Sequence, residues 1–397
     1  MTLATTPAGP DGGRTRIWND PWWRALFIQA ALIIVVATGL LAAAHNARVN
    51  MTARGIPTDF AFWNRPAGFD VNQTLIAFNA TYTYGRAFLV GLLNTIVVAV
   101  IGIVFSTILG FAIGAARLSQ SWLVARLATV YVETIRNIPL LLQMLFWYNA
   151  VLNPLPGPRN SLPFLNLAFL NNRGLFVPEP VPLDGLGYVA TAFAIGIVAA
   201  LAVRFVARRR QQETGEQWPV GWISAALILG LPLIVYVALG RPLDWSVPVL
   251  KGFNFQGGMR LTPEFVALTF ALVLYTASFI AEIVRSGILA VSHGQTEAAR
   301  ALGLAAGPTR RLVIMPQAMR VIIPPLTNQY LNVTKNSSLA VFIGYPDLVQ
   351  IFAGTVLNQT GAAVQVISIT MGVYLLISLV TSVGMNLFNS RMTLKER

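Results

Sequence analysis

Two pairs of oppositely charged residues are the side chains in this chain best placed to do chemistry. Glu133 and Arg136 are three residues apart, as are Glu282 and Arg285, so each pair can meet on one face of a helix. We favour ion pairs that fix helix ends, because this spacing commonly serves that purpose. A proton relay is the alternative, since ionisable groups inside membranes often mark transport paths.

Residues that would support catalysis or metal binding are scarce. The chain has no cysteine and only two histidines, His45 and His293, and neither belongs to a cluster of ligand-forming residues. We therefore expect no catalytic residue, no metal site and no cofactor bound by this chain. The phosphate-binding pattern G-x-x-x-x-G-K-[ST] is also absent from the sequence. The chain therefore lacks the loop and lysine that are needed to use ATP by that mechanism.

A polar stripe interrupts a weakly apolar stretch between residues 321 and 343. Its members share one helical face and are Asn328, Asn332, Lys335 and Asn336. Such a stripe faces lipid only at high cost. It either forms hydrogen bonds with another helix or lines a substrate passage, in which Lys335 attracts a carboxylate. Gln143, which follows Pro139 in another apolar run, is a second candidate for that passage.

The segment HGQTEAARALGLAAGPTRRLVIMP, residues 293–316, is polar and contains several arginines. It is rich in helix formers after Thr296, which suits the N-cap position. Gly303 and the pair Gly307–Pro308 then end the helix. A short alanine-rich helix between such breaks, lying outside the bilayer, fits a groove on another protein. An amphipathic connector between two membrane helices is the simpler alternative.

The elements that carry these residues are membrane helices. The chain of 397 residues is 55% hydrophobic and only 11% charged, with a mean hydropathy of +0.63, whereas soluble domains carry about 25% charged residues. Its formal net charge is +13. Because the basic residues lie in short loops between apolar runs, membrane orientation and anionic lipid explain this charge better than nucleic acid. We therefore predict an integral membrane protein that contacts lipid and binds no nucleic acid.

About eight membrane-spanning helices are predicted, since each needs about 20 apolar residues. Their approximate bounds are 25–44, 88–116, 127–152, 187–206, 221–239, 265–289, 321–343 and 363–388. With the N-terminus inside, 17 of the 28 basic residues fall in inner segments and nine in outer segments. This excess agrees with the positive-inside rule. Both termini are therefore expected in the cytoplasm.

Residues 297–316 resemble the EAA loop of ATP-binding-cassette (ABC) importer permeases. Glu297-Ala298-Ala299 is followed by Gly303 and, after nine further residues, by Val313-Ile314-Met315-Pro316. The stretches VETIRNIPLLLQMLFWY and AEIVRSGILAVSHGQTEAARALGL are similar to the polar amino-acid uptake branch of that family. Asn336 stands where that branch commonly has an acidic residue. This difference, the long insertion and the extra first helix resemble the general L-amino-acid permeases.

The resemblance implies an all-α polytopic membrane fold with about eight transmembrane helices and a type I ABC-importer permease core. The first part of that core is residues 84–152, and the second part is 263–390, including the cytoplasmic coupling loop 293–316. Residues 153–262 are expected to form an insertion with two extra transmembrane helices and outer loops. The remaining parts are a cytoplasmic tail at 1–24, a first transmembrane helix at 25–45 and a second cytoplasmic tail at 391–397.

The resemblance also implies a function, which is the import of L-amino acids from periplasm to cytoplasm across a bacterial inner membrane. The residues implied to contact a separate ATPase, which binds the ATP and Mg, are Glu297, Ala298, Ala299, Gly303 and Pro316. The implied partners are a second, related permease subunit, an ATPase dimer and a periplasmic amino-acid-binding protein. An ion-coupled secondary transporter, with Glu133 or Glu282 as the coupling group, is the alternative. That alternative leaves the residue spacing of the coupling loop unexplained.

Overall fold

The computed structural model describes residues 21–57 and 59–392, and this part of the chain is mainly helical. Its helices are, in chain order, α1 (Pro21–Ala53), α2 (Tyr84–Ala116), α3 (Trp122–Asn137), α4 (Leu140–Leu145), α5 (Leu186–Thr214), α6 (Val220–Ala225), α7 (Leu231–Ala238), α8 (Pro263–Leu289), α9 (His293–Ala301), α10 (Ala306–Pro308), α11 (Met315–Asn336), α12 (Leu357–Thr360) and α13 (Ala363–Met392). Turns of π-helix join α6 to α7 and α10 to α11. Most of the predicted tails, 1–24 and 391–397, lie outside the described residues.

Six helices in the described ranges are long and apolar enough to cross a membrane. They are α1, α2, α5, the continuous α6–α7 helix, α8 and α13. The predicted span 127–152 is broken, because α3 ends at Asn137 and α4 begins after Pro139. Proline disfavours helical backbone in the residue before it, and Ile138 is extended. The predicted weak span 321–343 is instead α11, which begins earlier and is followed by a 3₁₀ turn.

The core of the bundle lies where α8 packs against α2 and α11. Gly110 and Gly114, one turn apart on α2, face α8 so closely that a Cβ on Gly114 would lie 2.8 Å from the carbonyl oxygen of Ala281. Small residues allow two membrane helices to approach to this distance. The side of α8 that meets α11 forms a buried apolar cluster with it. The members of this cluster are Ile280, Val284, Ala318, Ile322 and Leu326.

Eight short strands in the insertion lie where the sequence predicts outer loops. They are β1 (Leu162–Phe164), β2 (Ala168–Asn171), β3 (Gly174–Val177), β4 (Glu179–Pro182), β5 (Leu243–Ser246), β6 (Val249–Lys251), β7 (Asn254–Gln256) and β8 (Met259–Leu261). Strands of three or four residues are too short for an alternating pattern to stand out from the surrounding proline and glycine. The prediction of two extra helices in the same segment agrees with α5 and the α6–α7 helix.

The insertion leaves the core and returns to it through one antiparallel sheet, ordered β1-β2-β3-β8. Strand β3 pairs with β8, which is followed directly by α8. Stacked phenylalanines support this sheet, with ring centroids 4.7 Å apart for Phe169 and Phe255 and 4.9 Å for Phe176 and Phe255. Within the excursion, β4 pairs with β5 and closes the base of the α5–α7 hairpin. The sheet also packs against the core, because Leu170 of β2 and Leu261 of β8 contact its buried apolar cluster.

Candidate coupling site and substrate path

Helix α9 is the short helix predicted for the coupling loop, and it starts earlier than the sequence indicated. Ser292 occupies its N-cap, so the predicted N-cap Thr296 lies inside the helix. The helix ends in a Schellman motif, in which Gly303 N–H donates to Arg300 O at 2.9 Å and Leu304 N–H donates to Ala299 O at 3.1 Å. Gly303 is left-handed with φ +79°, which glycine adopts without strain.

One face of α9 is buried against the chain and the other is free for a partner. Ala299 is buried, whereas Glu297 and Ala298 are exposed. Leu302, just after the helix, is 82% exposed. His293 Nδ1 lies 3.0 Å from Glu297 Oε1, one turn away on the exposed face. The exposed surface therefore combines the apolar side chains of Ala298 and Leu302 with the charges of Glu297 and Arg300, which suits contact with a cleft on another protein.

The connections of α9 join it to two core helices. Three residues separate it from the end of α8, and α10 with its π turn leads on to α11. Gln317 of α11 donates its side-chain amide to Gln295 of α9 at 3.1 Å. Pro316 is the second residue of α11, where its missing N–H removes no helical bond. Helix α9 is therefore connected to both α8 and α11.

An ion cluster lies on α8 about two helical turns before the end of that helix. Glu282 Oε1 accepts from Arg285 Nη2 at 2.7 Å, and the other oxygen of Glu282 contacts Arg117 at the end of α2. Arg136 of α3 lies 4.0 Å from the same carboxylate. One carboxylate thus connects three helices, and it does so with three guanidinium groups around it.

The predicted pair Glu133–Arg136 is not formed. Within the described residues, Glu133 is exposed and has no ion pair, while Arg136 turns to Glu282 and lies over the ring of Phe279 at 4.9 Å. The spacing of three residues allowed the pair, but in the folded chain two groups on α8, the Glu282 carboxylate and the Phe279 ring, contact the arginine instead. Only Glu282–Arg285 has the predicted pairing.

The polar stripe of α11 faces away from this chain's own core. Asn328, Asn332 and Lys335 are exposed and Asn336 is half-buried. In the described part of the chain, the side chains of these four residues form no hydrogen bond and no ion pair. The opposite face of the helix is buried, so the orientation of α11 is fixed. The stripe is therefore open to a second subunit or to a passage, and both of its predicted roles stay predictions.

Gln143 is buried, and its amide nitrogen serves the break between α3 and α4. Its Nε2 donates to Ile135 O and Ile138 O, each at 2.9 Å, where Pro139 interrupts the helical bonding. Its Oε1 has no hydrogen-bond partner in the described chain. The amide nitrogen therefore stabilises the break between the two helices. Only the amide oxygen is left to accept a hydrogen bond from a substrate, which is the role that the sequence suggested.

Asp347 is a buried carboxylate that the sequence reasoning missed. Its two oxygens accept from the backbone N–H of Gln350 at 2.8 Å and from the Tyr374 hydroxyl at 3.1 Å. Next to it, Asn94 of α2 donates to Pro346 O at 2.8 Å. These bonds tie α2, α13 and the turn after α11 together. An acidic residue within the apolar run around residues 339–357 was the signal that could have identified it.

The family model for the binding-protein-dependent transport system inner membrane component matches residues 106–394. This range contains the coupling helix, the ion cluster and the polar stripe. The chain belongs to this family. It is a multi-pass inner-membrane permease, and the resemblance, the helical membrane fold and the type I permease core expected from the sequence are confirmed.

Three relatives match over nearly their whole length. The putative amino-acid ABC transporter permease protein YhdX of Escherichia coli is 52% identical, over 95% of this chain and 96% of the relative. The general L-amino acid transport system permease protein AapQ of Rhizobium johnstonii is 49% identical, over 99% and 98%. The glutamate/glutamine/aspartate/asparagine transport system permease protein BztB of Rhodobacter capsulatus is 42% identical, over the full length of both. The insertion therefore lies within the region shared with these relatives.

Proposed function

We propose that this permease carries L-amino acids of several kinds from periplasm to cytoplasm, driven by a separate ATPase. Membership of the permease family and the amino-acid transport named for its three relatives support this proposal. The observation that carries the coupling part is the geometry of α9. It is a capped helix of nine residues with one buried and one exposed face, and it is joined directly to α8 and α11.

The proposed orientation places α9 and both termini in the cytoplasm. The excess of basic residues in the segments on that side supports it. The proposed partners are an ATPase dimer, which binds ATP and Mg, a second and related permease subunit, and a periplasmic amino-acid-binding protein. The exposed face of α9 contacts the ATPase in this proposal, and the polar stripe of α11 contacts the second permease subunit.

In the proposed mechanism, the ATPase moves α9, and α9 transmits this movement to α8 and to α11. Leu302, Ala298 and Glu297 enter the ATPase cleft, and Gly303 keeps the chain turning back beneath them. Because α9 is tied to α8 and α11, closure of the ATPase dimer displaces these helices relative to α2. The Glu282 cluster joins α2, α3 and α8 near this point, so its rearrangement accompanies the change in access.

The proposed substrate path runs along the stripe of α11. Lys335 attracts the carboxylate of the amino acid, and the amides of Asn328 and Asn332 tolerate different side chains because they donate and accept hydrogen bonds. We expect Lys335→Met to lower uptake by about tenfold, as loss of one charge-assisted hydrogen bond would, while the complex still assembles. Lys251→Met, in the exposed strand β6, is the matched control. Normal uptake by Lys335→Met would remove the path.

The coupling proposal is tested by reversing the character of the exposed face of α9. We expect Glu297→Arg combined with Gly303→Asp to abolish co-purification with the ATPase and ATP-dependent uptake. Glu213→Arg combined with Gly215→Asp makes the same changes at the end of α5, whose last turn is also exposed and followed by a left-handed glycine. Retained association in the α9 variant would contradict the proposal. So would uphill transport by the reconstituted permease without an ATPase.

A further inference from the structure

A basic groove lies at the tip of the insertion hairpin, where α5 ends and α6 begins. Its α5 side presents Arg204, Ala207, Arg208 and Gln211, which follow one helical face at spacings of three, one and three residues. Its other side is formed by Gln217, Trp218, Gly221 and Ser224. The groove encloses about 440 Å³. Ala207 is buried at its base, and the small side chains there keep it open.

The length of the two helices places this groove at the membrane surface. Helix α5 has 29 residues and is therefore about 43 Å long, whereas the apolar core of a bilayer is about 30 Å thick. Twenty residues counted from Leu186 end at Phe205, so Arg204 and Arg208 lie at headgroup level. The α6–α7 helix has 19 residues, about the thickness of that core, so its start at Val220 lies at the same level.

Two arginines in the groove have no acidic partner. Arg210 is paired with Glu216, with Nε 3.1 Å from the carboxylate, and Arg209 lies over the ring of Phe205 at 4.4 Å. In the described part of the chain, Arg204 and Arg208 form no ion pair. Two guanidinium groups one turn apart therefore face a cavity that also offers the Ser224 hydroxyl and the amides of Gln211 and Gln217. This combination of donors matches a phosphate group.

Apolar and aromatic side chains adjoin the groove. Leu201, one helical turn before Arg204 on the same face of α5, is 61% exposed, and Trp218 on the opposite wall is 38% exposed. Tryptophan is favoured at membrane interfaces because its ring is apolar and its N–H is polar. A ligand in this groove thus meets cations at headgroup level and apolar surface on the bilayer side, which suits an amphiphile better than a soluble anion.

We propose that this groove binds the phosphodiester headgroup of an anionic phospholipid, held by Arg204 and Arg208. The acyl chains lie along the exposed apolar surface at Leu201, on the bilayer side of the two arginines. A zwitterionic lipid fits less well, because its ammonium group brings positive charge close to two arginines. The site is formed by α5, α6 and the short connection between them, so it is separate from the coupling helix and from the polar stripe of α11.

The test measures lipid binding to the full-length, purified and delipidated permease. Native mass spectrometry counts bound molecules during titration with phosphatidylglycerol, with phosphatidylethanolamine and with inorganic phosphate as a competitor. We expect tight phosphatidylglycerol binding that millimolar phosphate does not displace. Arg208→Gln should weaken it about tenfold, and Arg204→Gln with Arg208→Gln should weaken it further. Arg209→Gln is the matched control, since it removes the same charge from the adjacent position outside the groove.

Three results would overturn the proposal. Equal binding of phosphatidylethanolamine would show that the arginines do not select an anionic headgroup. Displacement by millimolar phosphate would identify a site for a soluble anion. An equal effect of Arg209→Gln and Arg208→Gln would show that general positive charge, rather than this groove, holds the lipid. Because Arg208 is exposed, its substitution leaves the folded chain available for the measurement.

Discussion

The permease core and the insertion hairpin are both built from apolar helices, but they are held in different ways. In the core, α8 is packed against α2 and α11, and small residues bring the backbones close together. In the hairpin, α5 packs against the α6–α7 helix, with Gly196 close to Leu227 O, while most of both helices stays exposed. Helices α8 and α11 of the core flank α9 in the chain, whereas the hairpin is inserted before α8. Under the proposed coupling, a movement of α9 therefore acts on the core, and the hairpin is an addition to it.

Removal of a carboxylate is expected to lower the free energy of unfolding much more in the core than in the hairpin. In the core, the side chains of Glu282 and its partner Arg117 are 26% and 10% exposed. In the hairpin, the side chains of Glu216 and its partner Arg210 are 58% and 51% exposed. We expect Glu282→Gln to lower the free energy of unfolding by about 3 kcal/mol, because it leaves Arg117 without its partner. Glu216→Gln should lower it by less than about 1 kcal/mol. Thermal unfolding of the purified variants measures both, and equal effects would contradict a structural role for the cluster.

The space around a glycine also differs between the core and the hairpin. A valine at Gly114 would place its Cβ 2.8 Å from both Ala281 O and the Cβ of Val284, whereas Gly230 in the hairpin has nothing within 4 Å of that position. We expect Gly114→Val to lower the free energy of unfolding by about 2 kcal/mol through overpacking, and Gly230→Val to have little effect. The unfolding midpoints should separate accordingly. A core that tolerated Gly114→Val would have to be more loosely packed than the structure indicates.

The sequence predicted most reliably those features that depend on long, uniform runs. The apolar stretches of α2, α8 and α13 are each long enough to cross a membrane as one helix. Their predicted bounds therefore agree with the observed bounds to within a few residues. The coupling helix was found from fixed spacing rather than from hydropathy. Its start was misplaced because Thr296 and Ser292 are both good capping residues, and only the backbone geometry decides between them.

Features that depend on contacts between distant residues were not predictable. Arg136 could pair with Glu133 on its own helix, but the carboxylate on α8 provides a partner that also binds two other arginines. Asp347 lies in a turn whose importance becomes clear only when Tyr374 approaches it from α13. The short strands likewise exist because β3 and β8, 82 residues apart at Val177 and Met259, meet as partners.

Helices α9 and α5 are each followed by a left-handed glycine, so the same substitution can be made after both and only its effect on transport should differ. Gly303 follows α9 and Gly215 follows α5, and a Cβ at either position meets nothing within 4 Å. We expect Gly303→Ala and Gly215→Ala each to cost about 1 kcal/mol, because alanine disfavours this backbone conformation. Only Gly303→Ala should lower ATP-driven uptake. If both variants transport equally well, the turn beneath α9 is not part of the coupling.

Removal of the hairpin should have the smallest effect on the core. The register pairs Pro182 of β4 with Leu243 of β5, so residues 183–242 can be replaced by Asn-Gly, which favours a two-residue turn between antiparallel strands. Two helices are lost together, so the remaining helices keep their direction through the membrane. We expect the unfolding midpoint to fall by only a few degrees, since the connection remains paired, and association with the ATPase to persist. Binding of phosphatidylglycerol at the basic groove should disappear in the same protein. If this variant no longer associated with the ATPase, the hairpin would be needed to keep the core helices in the arrangement that binds the ATPase. The hairpin could then not be regarded as an addition to an independent core.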